Sequence, residues 1–372
     1  MPPTPSPLLA LAFTPGLGPR KLKALLEHFG DAASLADASA GALREVEGVG
    51  PKLAQTIVAF RAEGERRAAE ERARAERLGV QLLTLDDPDY PASLRGIYDP
   101  PPVLYVRGTL PAHLQGDLDA VRAVAVVGTR RASPFALELS REIARELARA
   151  GVVVVSGLAL GVDTAAHEGA LEAAPGATVA VLGSGVDRPY PAQNARLARR
   201  IADGGGAVVS EYRLGTPPRA EHFPGRNRII SGLARGVLVV EGGVTSGALI
   251  TAEFALEEGR TVFAVPGRAR DPRAAGPLEL LKQGAVLTER ADDILSELGW
   301  RRAPSAPPKR DAPELTGLPQ ELLTAIRQGG EPLLDDLVTA TGRAAPELLS
   351  ALMTLELKGL VRSLPSGRYA AL

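Results

Sequence analysis

The sequence predicts an α/β protein with a doubly wound, Rossmann-type sheet, preceded by a small helical domain and followed by a winged-helix domain. Three observations predict it. Six short apolar runs between residues 124 and 265 alternate with helical stretches. A glycine turn recurs near the N-terminus, each copy leading into an amphipathic stretch. After a Pro-rich interval, the last residues read as three helices and a hairpin. The 372 residues allow for several domains.

Residues 1–80 read as helical and rich in Arg, Lys and Glu. Pro15-Gly16-Leu17-Gly18-Pro19-Arg20-Lys21-Leu22 recurs as Glu47-Gly48-Val49-Gly50-Pro51-Lys52-Leu53-Ala54. This is the pattern of a helix–hairpin–helix (SAM-like) domain. Glycine permits the tight turn, and the N–H groups of the following helix can face a phosphate. Lys21 and Lys52 are therefore secondary phosphate-contact candidates, against the plainer reading of a helical hairpin. Residues 61–78 read as one solvated helix of mixed charge.

Residues 81–300 hold the β/α alternation. The runs Val124–Val127, Val152–Val155, Val179–Leu182, Val208–Ser210, Val237–Val240 and Thr261–Val265 are continuous rather than alternating. Such runs, separated by helices such as Pro134–Ala150, belong to a parallel sheet covered on both faces. Ligands of these sheets bind beyond the carboxyl ends of the strands. Here those ends carry VGTRR, SGLALG, GSG, SEYR and EGGVTSG, small loops whose backbone can approach an anion. Residues 301–313 read as a linker with four Pro. Residues 314–372 read as helices over Pro319–Gln328, Pro332–Thr341 and Pro346–Lys358, then a hairpin turning at Pro365-Ser366-Gly367.

Several chemistries are excluded. The chain has no Cys, which removes disulfides, thiolate metal sites and a cysteine nucleophile. Its four His are not spaced as metal ligands, so no metal is expected. The first strand is followed by Gly128-Thr129-Arg130-Arg131, without the further glycines of a dinucleotide site, and the second ends in Ser156 rather than an acid. No phosphate-binding P-loop motif occurs. His167 reads as a satisfied helix residue and Asp163 as that helix's cap. No apolar run approaches the ~20 residues of a membrane span, and residues 1–16 make a poor signal peptide. A cytoplasmic location is expected.

Net charge is −1, but it is unevenly spread. Residues 188–228 hold eight Arg against three acids, with Tyr190, Tyr212 and Phe223 among them. Arginine neutralises phosphates and rings stack on bases, as single-strand binding requires. A solvated basic face with core aromatics is the plainer alternative. Arg226-Asn227-Arg228 reads as the opening of a helix, where its donors would add to the helix dipole. Residues 311–372 carry five basic and eight acidic residues, so the third helix there suits protein contact better than duplex reading.

Several blocks in order resemble one known family. They are YPASLRGIYDPPPVLYVRG (90–108), VAVVGTRRAS (124–133), SGLALGVDTAAHEGAL (156–171), VLGSGVDRPYPAQN (181–194), SEYRLG (210–215), FPGRNRIISGL (223–233), VVEGGVTSGALITAEFALEEGR (239–260) and VFAVPG (262–267). Together they resemble the bacterial DNA-processing protein A family (DprA/Smf) over about residues 88–295. The resemblance implies an extended Rossmann core that binds single-stranded DNA in a basic pocket. It implies a homodimer, loading of the recombinase RecA during natural transformation, and single-strand-binding protein as a further partner. It implies no cofactor and no catalysis. By position, Arg130 matches the family's pocket arginine. Gly128, Thr129, Ser156, Gly157, Arg226, Asn227 and Arg228 match the same crevice. Phe223 is the stacking candidate, and Asn194 is a loop anchor or phosphate donor. Arg131 and Arg196 are secondary phosphate-contact candidates. Thr129 stands where many relatives have Ser.

Two other readings stay open. The loop Glu241-Gly242-Gly243-Val244-Thr245-Ser246-Gly247, followed by Glu253, is similar to the monophosphate loop and catalytic Glu of nucleotide phosphoribohydrolases, with altered spacing. A scaffold using an apolar helix face near Ile250–Leu256 is the other.

Overall fold

The computed structural model describes residues 6–114, 121–174, 176–300, 317–330, 332–357, 360–364 and 367–371. The linker expected at 301–313 lies outside the described residues, as do Pro365 and Ser366 of the hairpin turn. The chain forms two compact units, residues 1–303 and 304–372. Among the described residues, no helix is long and apolar enough to cross a membrane.

The first unit opens with helices α1 (Pro7–Leu11), α2 (Pro19–Phe29), α3 (Ala32–Asp37), α4 (Ala40–Leu43), α5 (Pro51–Ala59) and α6 (Arg61–Arg77). The two glycine turns are built alike. Gly16 and Gly48 take φ of 78° and 79°, Gly18 and Gly50 are extended N-caps, and Pro19 and Pro51 open α2 and α5. Proline suits that place because the first helical N–H has no partner to lose. Leu8, Leu22, Leu25, Leu35, Leu43 and Ile57 close a core beneath.

Helix α6 departs from the expected solvated helix. Gly64, Ala68, Glu71 and Ala75 are buried along one face. A Cβ on Gly64 would lie 2.8 Å from the Ala10 carbonyl oxygen. The Glu71 carboxylate accepts from the Leu214 N–H at 2.9 Å, and Arg74 donates to the Leu214 carbonyl at 2.9 Å. The buried stripe consists of small residues and one carboxylate, so no apolar period marks it in the sequence.

The sheet has nine strands: β1 (Val80–Thr84), β2 (Val103–Gly108), β3 (Ala123–Val127), β4 (Val153–Ser156), β5 (Thr178–Val181), β6 (Ala207–Ser210), β7 (Gly236–Val239), β8 (Thr261–Ala264) and β9 (Val286–Leu287). Their order is β1-β2-β6-β5-β4-β3-β7-β8-β9. From β6 to β9 all pairs are parallel, whereas β1–β2 and β2–β6 are antiparallel. The six expected strands are present within a residue or so, and β1, β2 and β9 add to them. Val80, the last residue of the segment expected to be helical, is the first of β1 and pairs with Arg107.

Helices α7 (Ala92–Arg95), α8 (Pro134–Arg149), α9 (Val162–Ala173), α10 (Ala195–Asp203), α11 (His222–Gly232), α12 (Gly247–Glu257), α13 (Ala275–Lys282) and α14 (Ala291–Glu297) complete the unit. Successive strand residues point to opposite faces. Thus Ala125 and Val127 join one apolar layer with Ile229, Ile230 and Ala252, while Val124 and Val126 join another with Ile143, Leu147 and Ile294. The winding reverses at β3, which has β4 on one side and β7 on the other. That opens a crevice at their carboxyl ends.

The second unit contains α15 (Leu318–Gly329), α16 (Leu334–Thr341), α17 (Ala345–Leu357), β10 (Val361–Ser363) and β11 (Tyr369–Ala371). The last two pair antiparallel as a wing. Leu322, Ile326, Leu337, Leu348, Leu352, Leu355 and Val361 form its own core.

Candidate functional site

A cleft of about 790 Å³ lies over the crevice between β3 and β7, within the size range of ligand sites. Gly128, Thr129, Arg130 and Arg131 form one wall after β3, and Thr245, Ser246 and Gly247 form another after β7. Tyr190, Phe223, Arg226 and Asn227 line the rest.

The first wall is held by backbone contacts. The Thr129 N–H donates to the Glu241 carbonyl at 2.7 Å, and the Arg131 N–H donates to the Thr129 hydroxyl at 3.2 Å. The Glu241 carboxylate accepts from the Ser133 N–H at 2.9 Å and from the Ser133 hydroxyl at 2.7 Å, fixing the start of α8. Close approach demands glycine at 161, where φ is 83° and a Cβ would lie 2.3 Å from the Thr129 carbonyl oxygen. Leu158, in the loop after β4, is fully buried with φ of 58°, a conformation that L-residues hold only where the surroundings impose it.

Arg130 and Arg131 are exposed. The Arg130 guanidinium lies 5.6 Å from the centre of the Phe223 ring, and the Tyr190 ring lies 5.7 Å from it. A Cβ on Gly183 would come within 3.0 Å of Phe223, so the GSG turn supplies the close backing for that ring. Beside them, His222 stacks on Tyr212 with centroids 4.0 Å apart. The result is an exposed cation next to a pair of rings, with a second exposed arginine in the same lining, above a glycine-lined backbone.

Beneath the cleft lies a buried polar layer. Arg226 donates to the carbonyls of Gly157 and Val181, and burial pushes its pKa down to about 10. The Asp163 carboxylate accepts from the Gly157 and Ala159 N–H groups at 3.1 and 3.2 Å. It therefore clamps the loop before α9 rather than capping the helix, whose N-cap is Gly161. His167 contacts the Thr178 hydroxyl through Nδ1 at 2.7 Å, and burial with Arg226 nearby pushes its pKa down to about 3. It is a neutral, packed helix residue.

The structure brings Gly128, Thr129, Arg130, Arg131, Phe223, Arg226 and Asn227 together in the cleft lining. Ser156, Gly157, Asn194 and Arg228 lie outside that lining. The Ser156 hydroxyl donates to the Val126 carbonyl at 2.7 Å. Gly157 admits Arg226, whose nitrogen a Cβ would meet at 2.7 Å. Asn194 donates to the Leu158 carbonyl and the Thr164 hydroxyl, both at 2.8 Å, which makes it a loop anchor. Arg228 forms a bidentate pair with Glu211, both contacts at 2.7 Å. The helix expected to open at Arg226 begins at His222, so the three residues fall in its second turn and are buried. Lys21, Lys52 and Arg196 are exposed and outside the cleft. Glu253 is exposed and does not line it either, and the Glu241 carboxylate is engaged by Ser133. Sequence reasoning missed the holding roles of Glu241, Glu211 and Asp163, whose partners are set by the fold rather than by any local motif.

Fold and cleft together define a Rossmann-type α/β protein with an arginine- and ring-lined crevice, carrying a helix–hairpin–helix domain and a winged-helix domain. Comparison with known proteins narrows this class. Residues 81–299 match the model of DNA recombination-mediator protein A, residues 8–63 a SAM-like helix-hairpin-helix tandem, and residues 306–367 a DprA winged helix domain. Protein Smf of Escherichia coli is 40% identical over 292 residues, covering 77% of this chain and 76% of that protein. The X-ray structure of DNA processing protein A from Streptococcus pneumoniae aligns with TM-score 0.64 and 36% identity, over 77% of this chain and 95% of that one. A structure of DNA processing protein A from Helicobacter pylori, described for its single-stranded DNA binding mode, aligns with TM-score 0.50 and 30% identity, over 59% of this chain and 95% of that one. The chain belongs to the DNA recombination-mediator protein A family, whose members are DNA-processing proteins acting in recombination.

Proposed function

We propose that this chain binds single-stranded DNA in the cleft, protects it, and loads RecA onto it during natural transformation, without catalysis of its own. The observation that carries the binding step is exposed Arg130 over the Phe223 ring, with the Tyr190 ring against Phe223 and exposed Arg131 in the same lining. Guanidinium groups neutralise phosphates while rings stack on bases of any identity. Gly128 and Thr129 let the backbone come close. Arg226 and Asn227 form the floor, and Ser156, Gly157, Asn194 and Arg228 support it from behind. A cytoplasmic homodimer acting with RecA, and with single-strand-binding protein on the same strand, fits the family resemblance. We place domain boundaries at 80/81 and on either side of residues 301–313; the family matches cover residues 8–63, 81–299 and 306–367, the last beginning inside that linker.

The test is a fluorescence titration of a single-stranded oligonucleotide at several salt concentrations. Arg130→Ala should weaken binding and lower the salt slope by about 0.7, the value for one phosphate contact on a single strand. Phe223→Ala should cost about 1–3 kcal/mol per base stacked, with the salt slope retained. Folded variants with wild-type affinity and slope would remove the cleft as the binding site.

A further inference from the structure

The eight arginines of residues 188–228 do not act as one basic patch. Arg226 and Arg228 are buried. Arg213 lies 3.9 Å from the centre of the Phe13 ring. Arg219 sits in the cleft wall beside Glu221, at 3.6 Å. The other four, Arg188, Arg196, Arg199 and Arg200, are exposed, and among the described residues none of their side chains has a hydrogen bond or ion pair.

The charged faces of α6 and of the α8–α9 pair are built differently. Arg66 and Arg67 pair with Glu63 on α6, and Arg141 and Arg145 pair with Glu168 and Glu172 across α8 and α9. On α10 the single acid is Asp203, in the last turn. Asp187, next to Arg188, is occupied by Arg74 and the Gly215 N–H. The α10 face carries three arginines against Asp203, and none of the three is paired with it.

The placement of α10 gives this charge a direction. Helix α10 follows β5 and precedes the parallel β6, so its N-terminus lies at the end of the sheet that holds the cleft. It buries Leu197, Ala198 and Ile201, which leaves Arg196, Arg199 and Arg200 together on the outer face. Tyr190 lines the cleft, is 43% exposed, and precedes Arg196 by six residues. The segment between them is pinned by Asn194. Asp187 and Pro189, the neighbours of Arg188, share a small cavity with Arg199, which sets the Arg188 loop against the same helix. From Arg196 to Arg200 the helix advances about 6 Å.

We propose that α10 is a phosphate track that extends the cleft. A single strand held between Arg130 and Phe223 leaves past Tyr190 and lays its sugar–phosphate backbone along Arg196, Arg199 and Arg200, with Arg188 beside it. This rests on the cleft being a single-strand site. The track adds charge without rings, so it contributes affinity and salt dependence but no stacking.

The experiment compares oligothymidylates of about 4 and about 20 nucleotides, spanning and exceeding a small single-strand site, on the full chain. The triple variant Arg196→Gln/Arg199→Gln/Arg200→Gln should bind the long strand more weakly, with a salt slope lower by about 0.7 for each phosphate no longer neutralised. It should bind the short strand as the wild type does. The corresponding triple Lys variant should keep most of the slope, and unchanged circular dichroism shows that the helix is intact. An unchanged slope on the long strand, or an equal drop in affinity on both lengths, overturns the track while leaving the cleft in place. A wild-type chain that binds neither length overturns the cleft reading and the track with it. Equal weakening on single strand and duplex shows general polyanion binding, and also overturns a track specific to the single strand.

Discussion

Arg130 and Arg228 are both arginines near strand ends, yet they face opposite tasks. Arg130 is exposed beside a ring, with its charge available. The Arg228 side chain is 7% exposed and locked to Glu211, itself 14% exposed, with its Nε donating to the Asp99 carbonyl at 2.8 Å. Removing one partner of a buried pair leaves the other charge without solvation or counter-charge. Arg228→Ala should therefore cost about 3–5 kcal/mol of stability. Replacing the pair together, Arg228→Met with Glu211→Leu, should cost much less. Urea unfolding of the two variants checks this, and an Arg228→Ala cost under about 1 kcal/mol would mean that the pair is not buried in solution. Nothing in RNR distinguishes Arg228 from the arginine of GTR, because the difference lies in Glu211 and Asp99, remote from both motifs.

Helices α8 and α9 cross closely, and a glycine makes the crossing possible. A Cβ on Gly169 would lie 2.1 Å from the Arg141 carbonyl oxygen, a backbone atom that cannot swing away. Gly169→Ala should destabilise by about 1–3 kcal/mol through backbone displacement, despite the better helix propensity of alanine. A thermal melt at or above the wild-type midpoint would refute the close crossing. The same α9 carries Asp163 and His167 beneath the cleft, so its displacement should also loosen the loop of Gly157 and Ala159. At this scale much was legible. Continuous apolar runs marked the parallel strands because both their faces are buried. In β1 the exposed Gln81 interrupts the apolar run, and the continuous run Val103–Val106 of β2 is followed by no long helix, so neither strand joins the strand–helix alternation that marks the parallel sheet. The stripe of α6 escaped because it buries small residues beneath a dominant charge pattern.

Two units with separate cores make up the whole molecule. The C-terminal core rests on a few leucines, Ile326 and Val361, the scale at which a domain supplies only about 3–5 kcal/mol. Calorimetry of the full chain should show two transitions, and a fragment of residues 304–372 should reproduce the smaller one. A single transition in the chain, with an unfolded fragment, would show that the winged helix depends on the rest. The near-neutral net charge is likewise a property of the whole that hides local structure. It sums a basic stretch in the core with an acidic C-terminal segment.

By itself the sequence determined the winding of the sheet, the glycine-lined strand ends and the family. Each of these is written in local patterns: apolar runs, turns and short blocks in order. It also placed an excess of arginine in one stretch. Only the tertiary structure decided what each arginine does: Arg130 at a ring, Arg226 in the floor, Arg228 in a pair, and Arg196, Arg199 and Arg200 unpaired on a helix face. A cation is free or spent according to the acids and carbonyls that surround it in space. Those partners, Glu211, Asp99, Gly157 and Val181, come from elements that only the fold brings together.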